Sequence, residues 1–243
     1  MLSIIIPTLN EEKHIAYILD QLLSQDFSED LEIIIADANS QDKTREIVKK
    51  YQDRFTKLSI IDGGLPAVGR NLGAKISLGD PIMFLDADLS LPGNFFLKNT
   101  INYFRDKNLS IATTFLEPRS NKLTDRFLII SYNFIMRLFK FIKPLGSACI
   151  LVKKDIFQKL GGYPEDVLIA EDHVFVSSCA RCGRYDILPY KVAFSMRRFK
   201  KEGRLVMLLK YFKVLLHMIF LGPVKKPIVK YEFKYSDKED TGE

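Results

Sequence analysis

Residues 82–92 read IMFLDADLSLP, and this segment predicts the architecture of the chain. A run of four apolar residues precedes Asp86 and Asp88, so we expect a buried strand that delivers two carboxylates at its carboxyl end. Two such carboxylates can share a divalent cation through oxygen ligands, which suits Mg²⁺ or Mn²⁺ and leaves coordination positions open for phosphate oxygens. The alternative is an ordinary Asp-rich turn after a strand.

Short apolar runs alternate with helical patterns through the first hundred residues. The predicted strands are residues 2–6, 31–36, 58–61 and 82–85. The first helix is predicted to follow Asn10 as its N-cap, with apolar residues at helical spacing from Ile15 to Leu23. This βαβα order predicts an α/β fold with a mostly parallel central sheet flanked by helices.

Each predicted strand ends in polar or backbone-exposing residues. The four ends are residues 7–11, 37–40, 62–64 and 86–88. Ligands of such sheets collect at the carboxyl ends of the strands, so four polar ends together predict a nucleotide crevice. Carboxylates there can accept from base and ribose groups, while a cation offsets the diphosphate charge. Arg70 and Asn71 add donors near the same crevice, although Arg70 can also be a solvated surface charge.

The charge of the chain is divided unevenly. Residues 1–100 carry 10 Lys and Arg against 15 Asp and Glu, whereas residues 101–243 carry 26 against 15. The basic back half should face something anionic. No recognised nucleic-acid motif is present, and the basic residues are interleaved with long aliphatic runs, so we predict an anionic membrane surface as partner and no nucleic acid.

The three cysteines, Cys149, Cys179 and Cys182, are an odd number in a chain without a secretory signal. We therefore expect no disulfide framework and a reducing compartment. Because the chain opens directly on a strand, no targeting peptide is expected. Together with the basic back half, these features predict a cytoplasmic protein, peripheral on the inner face of the cell membrane.

Two long apolar segments, residues 123–143 and 205–221, carry narrow basic stripes at helical spacing. Neither is a clean uncharged span, so we predict interfacial helices in preference to membrane crossings. Ordinary buried helices are the alternative. The stripes consist of Arg126, Asn133, Arg137 and Lys140 in the first segment, and of Lys210, Lys213 and His217 in the second.

Several short motifs occur in the order of a known family. They are residues 7–11, Asp37 with Ser40, the run from Gly69 to Asp88, and residues 161–163 followed by Glu171 and Asp172. With them, the chain resembles a GT-A fold glycosyltransferase of family 2 over residues 1 to about 175. The implied organisation is a GT-A catalytic domain over residues 1–195, a basic amphipathic membrane-associating helix over 196–222 and a C-terminal tail over 223–243.

The resemblance implies a role for individual residues. The implied nucleotide contacts are Pro7, Thr8, Asn10, Glu11, Asp37 and Arg70, with Asp86 on the ribose or diphosphate side. Asp88 would hold the Mn²⁺ or Mg²⁺ ion, and Asp172 would be the catalytic base. The further candidates for binding acceptor or phosphate groups are Arg119, Glu171, Arg197 and Arg198. Alternatively, Glu171 and Asp172 are only an acidic pair in the first turn of a helix.

The predicted reaction is a metal-dependent inverting transfer of a sugar from a nucleotide-diphosphate sugar to a lipid-linked or membrane-proximal glycan acceptor. Such a transfer needs a neutralised leaving diphosphate and, for a hydroxyl acceptor, a base. The chain is similar to polyprenyl and dolichyl-phosphate sugar synthases, and without tryptophan it has no Gln-x-x-Arg-Trp motif of processive synthases. The alternatives are transfer to a soluble hydroxyl acceptor, a non-catalytic nucleotide-binding membrane scaffold, and a haloacid-dehalogenase-like phosphatase.

Overall fold

The computed structural model describes residues 1–229, apart from the side chain of Ile219. Strands and helices alternate through most of this part of the chain. The strands are β1 (Leu2–Thr8), β2 (Leu31–Asp37), β3 (Lys57–Asp62), β4 (Ile82–Leu85), β5 (Leu89–Ser90), β6 (Ile111–Pro118), β7 (Cys149–Val152) and β8 (Tyr185–Phe194). The helices are α1 (Ile15–Leu23), α2 (Thr44–Lys49), α3 (Pro66–Ile76), α4 (Phe96–Asp106), α5 (Leu123–Phe139), α6 (Lys154–Leu160), α7 (Glu171–Cys182), α8 (Arg197–Glu202) and α9 (Arg204–Phe220).

One sheet runs through the described residues in the order β3-β2-β1-β4-β7-β6-β8-β5. The four strands of the front half pair in parallel. Beyond them, β7 is antiparallel to both β4 and β6, β6 and β8 are parallel, and β5 is antiparallel to β8. The predicted α/β class with flanking helices is confirmed. The parallel pairing predicted from the βαβα order holds for the front half, and the complete sheet is mixed.

The central strands β1 and β4 are buried on both faces, which explains their unbroken apolar runs. Alternate side chains of a strand point to opposite faces. Ile4 and Ile6 accordingly join the core formed with α1 and α4, whereas Ile5 joins the core formed with α3, α6 and α7. All four residues of β4 are buried. The polar ends of the central strands are thereby held at one edge of a rigid sheet.

The start of the first helix differs from the prediction. Asn10 does not cap α1, which begins at Ile15. Instead, Asn10 adopts a left-handed backbone with φ 54°, its side-chain oxygen accepts from the Gln41 amide at 2.8 Å, and its own amide donates to Ser40 Oγ at 2.9 Å. The polar side chain therefore joins the loops after β1 and β2, a use that competes with capping.

The predicted polar stripe of α5 is divided, because Asn133 and Lys140 bind the protein while Arg126 and Arg137 are exposed. Asn133 donates to the Leu116 carbonyl at 2.8 Å and accepts from the Leu116 amide at 3.0 Å, while Lys140 pairs with Asp186 at 2.6 Å. The opposite, apolar side of the helix is exposed. Its exposed members are Leu123, Phe127, Ile130, Phe134 and Leu138, followed beyond the helix by Phe141 and Ile142. Helix α5 therefore packs on the protein through one face, which includes Met136, and exposes a second set of apolar residues on the other.

Helix α9 runs beside α5 in the same direction. At their first turns, Arg204 Nη2 donates to Asp125 Oδ2 at 2.9 Å, and near their ends Lys143 Nζ donates to the Met218 carbonyl at 3.3 Å. The exposed apolar residues of α9 are Leu205, Val206, Leu208, Leu209, Tyr211, Phe212, Leu215, Leu216 and Phe220. Within residues 1–229, no helix combines the length and apolar character needed to span a bilayer.

Candidate active site

The ends of β1 and β2 are joined through the carboxylate of Asp37. Thr8 lies opposite Asp37 in register, and its hydroxyl donates to Asp37 Oδ1 at 2.8 Å. The Ser40 amide donates to Asp37 Oδ2 at 3.0 Å and the Ser40 hydroxyl to Oδ1 at 2.6 Å. The Asp37 side chain is 0% exposed. Its oxygens thus hold the loop after β2, and this loop presents the surrounding backbone to any ligand.

A cavity of about 320 Å³ lies at the ends of β2 and β3. Its lining consists of Asp37, Ala38, Asn39, Asp62, Gly63 and Gly64. Arg45 on α2 closes one side, because its guanidinium donates to Asp62 Oδ1 at 2.9 Å and lies 3.4 Å from Asp37 Oδ2. Sequence reasoning missed Arg45, since no motif distinguishes it from the neighbouring lysines.

Arg70 connects two parts of the site that are distant in sequence. Its guanidinium donates to Asp86 Oδ1 at 2.9 Å and to Glu171 Oε1 at 2.8 Å, and it lies 5.3 Å from the ring centre of Tyr163. Arg70 is buried, so it is not the solvated surface charge of the alternative. Burial alone would lower the Arg70 pKa, but the charges of Asp86, Glu171 and Asp172 outweigh it and raise that pKa.

Asp86 and Asp88 stand directly after β4, as predicted. Burial raises the pKa of Asp86 to about 6, the Asp88 charge adds to the rise, and Arg70 opposes it. Among the described residues, no group of three or more His, Cys, Asp or Glu side chains is arranged to hold a metal ion. Two mutually repelling carboxylates nevertheless fit Mg²⁺ or Mn²⁺, because such ions are often held by one or two carboxylates plus substrate phosphates.

Arg197, at the start of α8, reaches the same end of the sheet. Its Nη1 donates to Glu11 Oε2 at 2.9 Å, its Nη2 contacts Glu11 Oε1, and its Nε lies 3.6 Å from Asp88 Oδ2. Glu11 is buried and is also held by its amide, which donates to Thr44 Oγ1 at 2.8 Å. Thus a residue of the predicted membrane-associating segment is part of the cleft, beside both Glu11 and Asp88.

Asp172 lies in the first turn of α7, close to the loop before β7. A Cβ atom at Gly146 would lie 2.8 Å from Asp172 Oδ2, so only glycine leaves room for this carboxylate. Burial alone would raise the Asp172 pKa, but the charge and hydrogen bonds of His173, together with the charge of Arg70, lower it. Asp172 is therefore held in the form that can accept a proton. His173 was not identified from the sequence, where a histidine beside a motif carries no distinct signal.

Asn71 differs from its expected position in the crevice. Its Oδ1 accepts from the Tyr163 amide at 2.7 Å, and its Nδ2 donates to the Tyr163 carbonyl at 2.9 Å. Gly162, at φ 89°, lies so close that a Cβ would approach Asn71 Oδ1 to 2.4 Å. Asn71 therefore holds the turn of residues 161–163, which in turn places the Tyr163 ring beside Arg70.

Three further predicted residues are Pro7, Arg119 and Arg198. Pro7 precedes Thr8 at the end of β1. Arg119 is exposed, and its guanidinium lies 4.9 Å from the ring centre of Tyr17. Arg198 is half-buried on α8, next to Arg197.

Comparison with known proteins identifies the family. Residues 3–161 match the family model of glycosyl transferase family 2. The chain belongs to glycosyl transferase family 2. The family match covers the strand ends, Arg70, Asp86 and Asp88, and it ends before Asp172.

Two relatives and one solved structure illustrate the similarity. The poly(ribitol-phosphate) beta-N-acetylglucosaminyltransferase TarS of Staphylococcus aureus is 37% identical over 90 residues, which are 35% of this chain and 16% of TarS. The UDP-Glc:alpha-D-GlcNAc-diphosphoundecaprenol beta-1,3-glucosyltransferase WfgD of Escherichia coli is 30% identical over 168 residues, which are 64% of this chain and 60% of WfgD. These alignments thus span only part of each relative's length.

The mannosyltransferase PcManGT of Pyrobaculum calidifontis, solved with GDP-Man and Mn²⁺, has the same fold, with a TM-score of 0.66 and 23% identity over 79% of this chain and 56% of that one. This likeness agrees with the GT-A fold expected from the strand-end motifs.

Proposed function

We propose that this chain is a metal-dependent inverting glycosyltransferase whose donor is a nucleotide-diphosphate sugar. The observation that carries the proposal is the double ion pair of Arg70 with Asp86 after β4 and with Glu171 at the start of α7. Arg70 and Glu171 are 101 positions apart. Their contact brings the proposed leaving-group side and the proposed base side into one cleft.

The donor nucleotide is proposed to bind along the ends of β1 to β4. The cavity beside Asp37 and Asp62 supports a nucleobase site, because backbone groups and carboxylates there can pair with the edge of a base. Asp37 itself acts by holding the loop after β2, since its oxygens are already hydrogen-bonded. The nucleotide contacts implied by the family resemblance complete this site. They are Pro7, Thr8, Asn10, Glu11 and Arg70.

The metal ion is proposed to bind Asp88, with Asp86 beside it. When bound, the Mn²⁺ or Mg²⁺ ion would neutralise charge on the leaving diphosphate. The repulsion between the two carboxylates supports this site, and so does the GDP-Man and Mn²⁺ complex of the structural relative. Arg197 lies beside Asp88 and can give its guanidinium to diphosphate oxygens once a ligand competes for Glu11.

Asp172 is proposed as the general base. As the acceptor hydroxyl oxygen bonds to the anomeric carbon, Asp172 takes the hydroxyl proton, the bond from that carbon to the diphosphate breaks, and the nucleotide diphosphate leaves. The position of Asp172 next to Glu171, which Arg70 ties to the proposed leaving-group side, supports this role, and its lowered pKa means that the carboxylate is ionised at neutral pH. Glu171 is engaged by Arg70 and is proposed to position the start of α7.

The acceptor is proposed to be a sugar hydroxyl on a lipid-linked glycan. The relative WfgD supports this class, since its name specifies a diphosphoundecaprenol-linked GlcNAc acceptor. A hydroxyl acceptor also needs a base such as Asp172 to remove its proton, whereas a phosphate acceptor is already anionic and needs no base. Arg119 and Arg198 remain candidates for contacts with acceptor phosphates.

The exposed faces of α5 and α9 support a peripheral position on a membrane, which we propose to be the inner, cytoplasmic face of the cell membrane. Apolar side chains of this number are seldom left to water on a soluble protein. The exposed basic residues on and beside these helices include Arg126, Arg137, Lys200 and Lys213. Two copies packed face to face would oppose these like charges, whereas an anionic bilayer complements them. We therefore assign the surface to lipid.

A donor screen followed by a transfer assay tests the proposal. Thermal unfolding with a panel of nucleotide sugars, with and without Mn²⁺, should single out one donor, and a ligand at 100 times its Kd adds about 2.7 kcal/mol to the free energy of unfolding. With that donor, Asp88→Asn should lose metal-dependent stabilisation and transfer. Asp172→Asn should keep donor binding and lose at least about 100-fold in transfer rate.

Asp53→Asn, an exposed carboxylate outside the cleft, serves as the matched control and should behave as the wild type. Donor binding without any transfer would favour a non-catalytic scaffold. Equal transfer to a water-soluble sugar and to a lipid-linked one would instead favour a soluble hydroxyl acceptor.

A further inference from the structure

Residues 222–229, which follow α9, pack on the loop that leads into α7; we call them the C-terminal strap. Val224 forms an antiparallel bridge with Ile169, and the Leu168 amide donates to the Val224 carbonyl at 2.9 Å. The Val224 side chain is 0% exposed. The beginning of the predicted tail is therefore packed against the protein, while residues 230–243 lie outside the described part of the chain.

The strap, α9 and the α7 loop share one apolar cluster. Val214 and Met218 from the inner side of α9 surround Val224 together with Ala170 and Val174. Ala170 comes directly before Glu171, and Val174 follows Asp172 by two positions. Both flanks of the proposed base thus rest on a cluster that the strap completes.

The backbone at the start of α7 needs such support. Ala170 adopts φ 62° and ψ 34°, a left-handed conformation that is unfavourable for a residue with a Cβ. Conformations of this kind persist where the surroundings hold them. The strap packs on this residue on one side, and further along it Pro227 and Val229 line, with Glu171, a cavity of about 280 Å³.

We propose that the strap is a positioning element for Asp172, with Val224 as its central positioning residue. Val224 acts through the loop and does not itself touch the reacting groups. This inference rests on the proposed role of Asp172 as general base. It also links the exposed side of α9 to the reaction, because the same helix carries Val214 and Met218 against the loop and its apolar residues towards the proposed lipid surface.

A second contact of the strap offers a matched control. Lys225 Nζ lies 2.7 Å from Asp166, but the two side chains remain 60% and 61% exposed. An ion pair in water contributes little to stability. Lys225→Gln therefore changes the strap without disturbing the buried cluster.

The test compares Val224→Ala, Val224→Ile and Lys225→Gln in the full chain. Val224→Ala should lower kcat about 10- to 100-fold, because a small displacement of a reacting group costs that much, while the donor KM stays within about two-fold. Val224→Ile, which keeps the apolar contacts of the valine and adds one methyl group, should retain most of the wild-type rate. Lys225→Gln should equal the wild type. Amide hydrogen exchange of residues 168–174 should accelerate in Val224→Ala without acceleration in β1 or β4.

An unchanged kcat in Val224→Ala with donor binding intact would overturn the inference. A parallel loss of donor affinity and general acceleration of exchange would also overturn it, because the strap would then be only part of the core. The exchange measurement does not depend on turnover. If the wild type binds donor but transfers nothing, the proposed function fails while the strap is still tested by exchange.

Discussion

At the scale of single residues, the proton on His173 Nδ1 affects the hydrogen bonding of Asp172. His173 Nδ1 lies 3.1 Å from the Gly146 amide and 3.2 Å from Asp172 Oδ1. A neutral ring with a bare Nδ1 can accept from Gly146, whereas only a ring protonated there can donate to Asp172. The proton on His173 Nδ1 therefore decides whether the ring also donates to Asp172, whose Oδ1 already accepts from the His173 amide at 2.9 Å.

The protonation of His173 predicts a pH dependence of transfer. Burial alone would lower the His173 pKa, but the charge and hydrogen bond of Asp172 raise it above 6.5, with Glu171 adding to the rise and Lys143 opposing it. Because a raised pKa keeps the ring protonated to higher pH, the Asp172 carboxylate loses the ring as a donor only as the pH rises through that value. We expect kcat to rise with pH through a midpoint above the usual pKa of a histidine, and His173→Gln to remove this step.

The measurement is kcat against pH from about 5.5 to 9, at saturating donor and acceptor. His217→Gln, on α9, is the control for the loss of a histidine and should keep the step. A rising limb of unchanged midpoint in His173→Gln would contradict the prediction.

The residues of the site were predictable from sequence to different degrees. Asp86 and Asp88 were apparent because a buried strand must end where its apolar run ends, and β4 ends at Leu85 as predicted. The contact between Arg197 and Glu11 joins residues 186 positions apart, and no local pattern encodes such a contact. The sequence also could not predict that both oxygens of Asp37 accept hydrogen bonds within the protein, because those bonds depend on the loop that Asp37 itself holds.

At the scale of elements, periodicity predicted where strands and helices lie better than which way they face. The first four strands were located to within two residues at each end, because apolar runs mark burial directly. In α5, however, the residues of the predicted stripe point in different directions: Asn133 and Lys140 bind β6 and Asp186, whereas Arg126 and Arg137 are exposed. Helical spacing shows which residues share one side of a helix, but the sequence does not state which side packs against the protein.

The junction of α5 and α9 supports a prediction about stability. Asp125 is 0% exposed and is held by Arg204 and by the Ser120 hydroxyl at 2.6 Å. Arg204→Met would leave the buried carboxylate without its guanidinium, at a cost of about 3 kcal/mol in the free energy of unfolding. The melting temperature should fall by about 6 to 12 °C, as measured by circular dichroism.

A double variant, Asp125→Leu with Arg204→Met, separates charge from packing. Removing both charges and keeping apolar volume should restore most of the lost stability. Arg54→Met, which breaks an exposed pair with Asp20, should change the melting temperature little. If Arg204→Met melts like the wild type, the ion pair does not hold the two helices together.

At the scale of the whole molecule, one sheet unites two halves of opposite charge. The acidic half provides the parallel strands and their polar ends, and the basic half adds β6, β7 and β8 through the antiparallel pairing of β7 with β4. Arg197, in the basic half, forms an ion pair with Glu11 in the acidic half. The proposed donor site and the proposed lipid surface are therefore parts of one packed structure, as transfer to the proposed lipid-linked acceptor requires.

The corresponding prediction is that α5 and α9 bind anionic vesicles together. Replacing Phe127, Phe134 and Leu138 by Ser on α5, or Leu209, Phe212 and Leu216 by Ser on α9, should each weaken vesicle flotation at least about ten-fold, because burying one such side chain contributes about 1.5 to 3 kcal/mol. Salt should not abolish this difference, since apolar burial is not screened.

Replacing Arg126, Lys200 and Lys213 by Gln should weaken binding at low salt only, as each basic residue near the surface contributes about 1 kcal/mol and the Debye length shrinks to about 3 Å at 1 M. Leu78→Ser with Phe95→Ser, equally exposed but away from both helices, is the control and should float like the wild type. If the serine variants float normally but lose self-association in sedimentation, the surface binds a second copy of the chain and not lipid.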